Sequence, residues 1–293
     1  MTDDLEWAVC RMLSLVSRPK VILSSQPKVT RMQIGVMNHP ARDPLEEIHW
    51  IGEHGFDFVD FTLEPPAVDP DRIDPKAIIA ALDEHGLGVI AHTPWFIPVS
   101  SPLAGIRKAA LPELRRCLDV AQAIGASVMN AHYRPIPNTF SAADAINWHV
   151  ETLAPLCDEA ADAGITIVLE HVPEGGPQQL ENIVEIMNRV EQLRFHLDSG
   201  HAKLEGRHDR FGDYIERLGE KLLHVHLSDN DGTADQHLPL NAVVRNPTDW
   251  PAHIRLLKQS GYDGTVTLEI FSPSREYLLL SRDLVQRWWT EAK

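Results

Sequence analysis

Eight short apolar or β-branched runs recur from residue 32 onward, each followed by a stretch of helical period. They begin near 32 (MQIGVM), 57 (DFVDFTL), 88 (GVIAHT), 126 (ASVMNAH), 165 (ITIVLEH), 194 (RFHLD), 222 (LLHVHLSD) and 265 (TVTLEIF). Runs this short, apolar or β-branched, read as strands. The amphipathic stretches at 44–54, 75–85, 111–124, 142–163, 180–190, 211–218, 250–259 and 275–289 predict helices.

Gly55, Gly86, Gly125, Gly164 and Gly261 each close a helical stretch just ahead of the next strand, the place of a C-cap glycine in an αβ turn. Eight alternations at about 30 residues per unit predict a single-domain (βα)8 barrel of the TIM type over 32–293. An open doubly wound sheet is the competing architecture, but it would be unusually long. Residues 1–31 follow no such pattern and are read as a short, irregular, poorly ordered extension; a true start at Met32 is equally consistent.

Charge and cysteine usage narrow the function classes. A net charge of −15 repels a phosphate backbone and disfavours a nucleic-acid partner, while leaving room for a small anionic substrate. No apolar run reaches the roughly 18 residues that span a bilayer, and an N-terminus opening on Asp3, Asp4 and Glu6 does not fit a secretory signal. Cys10, Cys117 and Cys157 lack CxxC spacing, so neither a disulfide framework nor a thiolate zinc site is expected, and a cytoplasmic location follows as the default.

In a barrel the C-terminal strand ends share one face, where chemistry collects. Those ends supply His92, His132, Glu170, Asp198 with His201, His226 and Glu269, and Asp235 and His237 follow the seventh strand. Any one carboxylate at a strand end is ordinarily solvated or capping a helix, and any one histidine is ordinarily a satisfied core or surface group. Glu170 and Glu269 resist that reading, because each sits in an apolar strand without Lys or Arg, where an unpaired charge costs several kcal/mol. A divalent cation held by Glu170, Asp198, His226 and Glu269 answers this. The mixed oxygen and nitrogen set favours Mn2+ or Zn2+ foremost, with Mg2+ and Co2+ also suited. His171, His196 and His224, neighbours of the candidate positions, are expected to be structural residues of the opposite parity. A His224-x-His226 ion site is disfavoured because two inward rings at that depth should crowd the barrel.

The segments VLEH (168–171), HLDSGHA (196–202), HVHLSDNDG (224–232), DQHLPL (235–240) and GYDGTVTLEI (261–270), in this order, resemble the xylose isomerase-like TIM-barrel superfamily over about residues 32–290. The sugar phosphate isomerase/epimerase group is the nearer match, and endonuclease IV is a related branch. The first resemblance implies one divalent ion on Glu170, Asp198, His226 and Glu269, with the two glutamates exchanging substrate protons, His201 contacting the sugar, and chains that pair as homodimers. The second implies a trinuclear zinc site drawing also on His92, His132, His201, Asp235 and His237. The sequence departs from the first group at Leu238-Pro239-Leu240-Asn241-Ala242, where a Gly-Glu-Gly stretch is common, and from the second at Asp198-Ser199-Gly200-His201, where Asp-Thr-Cys-His is usual.

Taken with these residues, the first resemblance implies a metal-dependent isomerase or epimerase of a small sugar, sugar phosphate or related polyhydroxy carbonyl compound, acting through a metal-stabilised enediolate. His201 and Glu174 are expected to hold hydroxyls and Trp95 to supply an apolar wall. Arg245 or Lys203 is either a phosphate contact or a solvated loop cation. A metal-dependent phosphodiesterase of the endonuclease IV kind is the alternative; a non-catalytic barrel keeping its ion for stability is disfavoured by the intact glutamates.

Overall fold

A computed structural model describes residues 32–205 and 208–293; the expected extension at 1–31 lies outside the described residues. The apolar runs form eight parallel strands, β1 (Gln33–Met37), β2 (Phe58–Thr62), β3 (Gly88–His92), β4 (Val128–His132), β5 (Thr166–Glu170), β6 (Arg194–Asp198), β7 (Leu222–Leu227) and β8 (Thr265–Leu268). They close into a barrel in sequence order, with β1 pairing both β2 and β8. Their outward side chains, such as Ile34, Val59, Leu169 and Val225, are fully buried under the helices. Each such side chain contributes about 1.5–3 kcal/mol on leaving water.

The helices are α1 (Pro44–Glu53), α2 (Pro75–His85), α3 (Ala104–Ala123), α4 (Ala142–Asp162), α5 (Gln179–Arg189), α6 (Ser199–Leu204), α7 (Phe211–Leu218), α8 (Trp250–Gln259) and α9 (Glu276–Glu291). Local chemistry sets their ends. Asp43 accepts from the N–H groups of Leu45 and Glu46 to start α1, and Ser141 with Asp144 forms a capping box on α4. Gly86 closes α2 at φ 65°, and the other four glycines expected in αβ turns share that left-handed geometry.

Two elements differ from the sequence-based expectation. The helix α3 starts at Ala104, well before residue 111, and continues through Pro112 because Ala110 and Leu114 on either side are anchored in the core. The short helix α6 was not expected at all; it springs directly from β6, with the Asp198 side chain accepting from the N–H of His201.

Three tiers of inward side chains fill the barrel. At the N-terminal end Phe58 covers Gly35, where any Cβ would lie 2.4 Å from the ring. The middle tier is polar: Asp60, Asn130, His196, His224 and Thr267 hydrogen-bond among themselves and to the tier above. The upper tier, at the C-terminal face, carries the candidate site. No helix among the described residues is long and apolar enough to cross a membrane, and Cys117 and Cys157 are buried free thiols.

Candidate metal centre

Strand ends bring the sequence-predicted residues together. His92, His132, Glu170 and Asp198 are the last residues of β3, β4, β5 and β6, His226 is near the end of β7, and Glu269 directly follows β8. One donor atom from each of Glu170, Asp198, His226 and Glu269 lies within 4.8 Å of all the others, and all four residues are buried. His226 Nδ1 is 3.0 Å from Glu269 Oε2 and 3.7 Å from Asp198 Oδ2.

The flanking residues extend this cluster on both sides. His92 Nε2 and His132 Nε2 are 3.0 Å apart, and His132 Nε2 is 3.2 Å from Glu170 Oε2. These three residues form a second group of donors within 4.8 Å. On the other flank the ring of His201 is fixed between the His171 carbonyl at 2.8 Å and Asp235 Oδ2 at 3.1 Å. His237 Nε2 lies 3.2 Å from the same Asp235 oxygen. The backbone of His237 is left-handed (φ 45°), held by the antiparallel bridge between Asp229 and Leu238 and by Phe271 N–H donating to its carbonyl. A histidine kept in that conformation by its surroundings is local strain at a candidate site.

Against burial, neighbouring histidines hold the Glu170 and Glu269 carboxyls below the ordinary range, but Asp198 is left short of compensation. Burial, reinforced by the charges of Glu269 and Glu170, pushes the Asp198 carboxyl up to about 6. Burial opposes the charge on His226, yet Glu269 and Asp60 together hold its imidazole well above the ordinary value. Against burial, Glu269 and Asp235 lift His237 to about 9. The donor set fits a divalent cation. Asp198 Oδ2 is buried without a hydrogen-bond partner, as are Nδ1 of His92, His132 and His237, and no Lys or Arg side chain pairs with Glu170, Asp198 or Glu269 among the described residues. An unpaired buried carboxylate oxygen aimed at an imidazole nitrogen is what three carboxylates and one histidine around a cation leave when the cation is taken away.

Four expectations need correction or completion. His196 and His224 do not have the opposite parity: lying two residues from Asp198 and His226, they share the inward face and sit one tier down. They are accommodated among polar neighbours, His224 against Asp60 and Thr267 and His196 against Asn130, with the Phe58 ring 6.2 Å from that of His224. Lys203 is neither a phosphate contact nor a solvated cation, being buried with Nζ donating to Asp229, the Asn230 carbonyl and Thr248. Asp60 and Asn130 were missed. Asp60 is wholly buried and touches His92, His224, His226 and Thr267, and Asn130 Nδ2 donates to Glu170 Oε2 at 2.5 Å. Asp60 carried the same signal as Glu170, an acid inside an apolar run.

Around the mouth, Trp95 is half-exposed, its N–H donates to Glu64 and its ring lies 5.2 Å from the Arg134 guanidinium. Glu174 is exposed in the loop after β5, near enough to Arg134 to influence its charge. Arg245 is exposed in the segment ahead of α8. Leu240, in the segment that departs from Gly-Glu-Gly, is buried and its N–H donates to Ser281 Oγ, so this loop is tied to α9.

Comparison with known proteins agrees with this architecture. The family described as xylose isomerase-like TIM barrel matches residues 48–289. A ketose 3-epimerase of Arthrobacter globiformis is 30% identical over 235 residues, 76% of this chain and 75% of that protein. A probable endonuclease 4 of Symbiobacterium thermophilum is 29% identical over 182 residues, 58% of this chain and 64% of that protein. Among solved structures, a D-tagatose 3-epimerase-like protein superposes with a TM-score of 0.77 at 23% identity, covering 88% of this chain and 97% of the other.

Proposed function

The chain belongs to the xylose isomerase-like TIM-barrel family, and from that premise we propose that it is a divalent-metal-dependent isomerase or epimerase of a small sugar, sugar phosphate or related polyhydroxy carbonyl compound. The observation that carries this reading is the meeting of Glu170 and Glu269 with Asp198 and His226 inside 4.8 Å at the catalytic end of a barrel. Similarity to a ketose 3-epimerase over three quarters of both chains supports it.

Glu170, Asp198, His226 and Glu269 would hold one ion, Mn2+ or Zn2+ foremost, which supplies electrostatic stabilisation of negative charge on substrate oxygens. Glu170 and Glu269 reach the mouth three strands apart around the ring. One takes the proton from the carbon beside the carbonyl, and the other returns a proton to the opposite face. Asn130 keeps Glu170 oriented by donating to its Oε2. His201, fixed by the His171 carbonyl and Asp235, holds a substrate hydroxyl, while Trp95 and Glu174 line the rim.

Metal content of protein purified without chelators, measured beside solvent-deuterium incorporation into a panel of ketoses, tests the reading. About one ion per chain with exchange at the carbon next to the carbonyl is expected; a metal-free protein that stays folded and active overturns it. The group of His92, His132 and Glu170 favours a second reading, a multi-ion phosphodiesterase, to which the similarity to a probable endonuclease 4 also points. Close to three ions per chain would select it.

A further inference from the structure

We infer that Asp60 is a positioning residue for the metal centre: it holds the His226 ring as the Nε2–H tautomer, so that Nδ1 is the atom offered to the cation. This rests on the metal-dependent reading above but concerns a residue on β2 outside the set of Glu170, Asp198, His226 and Glu269, one that also lies within 4.8 Å of donors on His92 and His226.

Asp60 lies in the middle tier, fully buried, with no Lys or Arg beside it among the described residues. Its charge is offset by N–H and O–H donors alone. Oδ2 lies 2.8 Å from His226 Nε2, 3.0 Å from His224 Nε2 and 2.9 Å from Thr267 Oγ1. A carboxylate has no proton to give, so each of these contacts requires the hydrogen on the partner. That requirement fixes the hydrogen of His226 on Nε2.

The opposite ring nitrogen then faces the site, 3.0 Å from Glu269 Oε2 and 3.7 Å from Asp198 Oδ2. Turning the ring over would put Cδ2 in the place of Nδ1 and Cε1 in the place of Nε2, losing both sets of contacts. Only one rotamer satisfies the buried acid below and the acids above. Without an ion the ring donates from both nitrogens, and a cation would take the place of the Nδ1 hydrogen while the one on Nε2 stays with Asp60. A carboxylate behind a ligating imidazole also raises its basicity, and removing such a partner typically weakens metal binding about 10–100-fold. His224, with Nδ1 2.8 Å from Thr265 Oγ1, braces Asp60 from the side away from the site.

Calorimetric zinc titration of Asp60→Asn, with the visible spectrum of the cobalt-substituted protein, tests this. The expected result is a folded variant with unchanged stoichiometry, zinc affinity lower by about 10–100-fold and shifted cobalt bands. Thr267→Val removes one hydrogen bond to the same oxygen while leaving the charge, and should keep zinc affinity within about threefold. Wild-type affinity and an unaltered cobalt spectrum in Asp60→Asn overturn the inference. Should that variant not fold, the two-bond 1H–15N spectrum of zinc-loaded, 15N-histidine-labelled wild type decides: coordination through Nδ1 with Nε2 protonated supports the assignment, and coordination through Nε2 refutes it. A wild-type protein that binds no zinc, manganese or cobalt would instead sink the metal-dependent reading itself.

Discussion

Glu269 Oε2 and His226 Nδ1 face each other at 3.0 Å, an acid just beyond β8 against an imidazole on β7, both buried at the barrel mouth. If Glu269 moves substrate protons, Glu269→Gln should fold normally, yet lower turnover and solvent-deuterium incorporation by about 10²–10⁴-fold, the usual contribution of general acid–base catalysis. Exchange at the wild-type rate would remove Glu269 from that role.

Chelation should destabilise the protein. Taking a cation from among Glu170, Asp198 and Glu269 leaves three acids facing one another, and burial with like charge already pushes Asp198 up to about 6. A ligand at a thousandfold its dissociation constant contributes about 4 kcal/mol, about 10 °C in the melting midpoint of a domain this size. Calorimetry before and after a chelator, then after zinc or manganese is restored, checks this; an unmoved midpoint counts against a bound ion.

Away from the site, His149 should give the stability a distinct pH dependence. Its Nε2 accepts the N–H of Arg134 and its Nδ1–H donates to the Ala145 carbonyl, and burial brings its pKa down from 6.5 to about 4. Below pH 6.5 the unfolded chain takes up a proton that the folded ring refuses until about pH 4. The contribution of about 3 kcal/mol is therefore complete above the unfolded value and fades as pH falls toward 4. Denaturant unfolding across that window should show a flatter slope for His149→Gln than for wild type; equal slopes would exonerate the ring.

Gly200 should resist enlargement. A Cβ there would lie 2.7 Å from Ser228 Oγ and 3.2 Å from Asp198 Oδ1. Gly200→Ala should cost about 1–3 kcal/mol and weaken metal binding by displacing Asp198. Adding Ser228→Ala removes the closest clash and should return much of the loss, a non-additivity that a double-mutant cycle reads directly. Simple additivity would mean that the strain lies elsewhere.

Much of this molecule was legible in the chain because barrel units advertise themselves locally: an apolar strand, an amphipathic helix, a glycine at the turn. Glu170 and Glu269 stood out because a charge in an apolar run demands an explanation. Asp60 sits in the equally apolar run FVDFT and was passed over, since its hydrogen-bond partners His224, His226 and Thr267 arrive from strands more than 160 residues away and no local pattern reports them. His196 and His224 were misplaced for a related reason. Whether two inward rings fit depends on what faces them, and Asp60 and Thr267 come from strands remote in sequence. Helix α6 was hidden by its length, and α3 by a proline that ordinarily marks a helix start but here lies inside one.

The polar middle tier also bears on how the barrel closes. A bore lined only with aliphatic groups would accept a strand slid along by two positions, because the same face still points inward. Sliding β2 that far would carry Asp60 away from His224, His226 and Thr267 and strand a carboxylate in the interior, at a penalty of several kcal/mol. The tier thus works as a key for shear, admitting one alignment of the staves and rejecting its near neighbours.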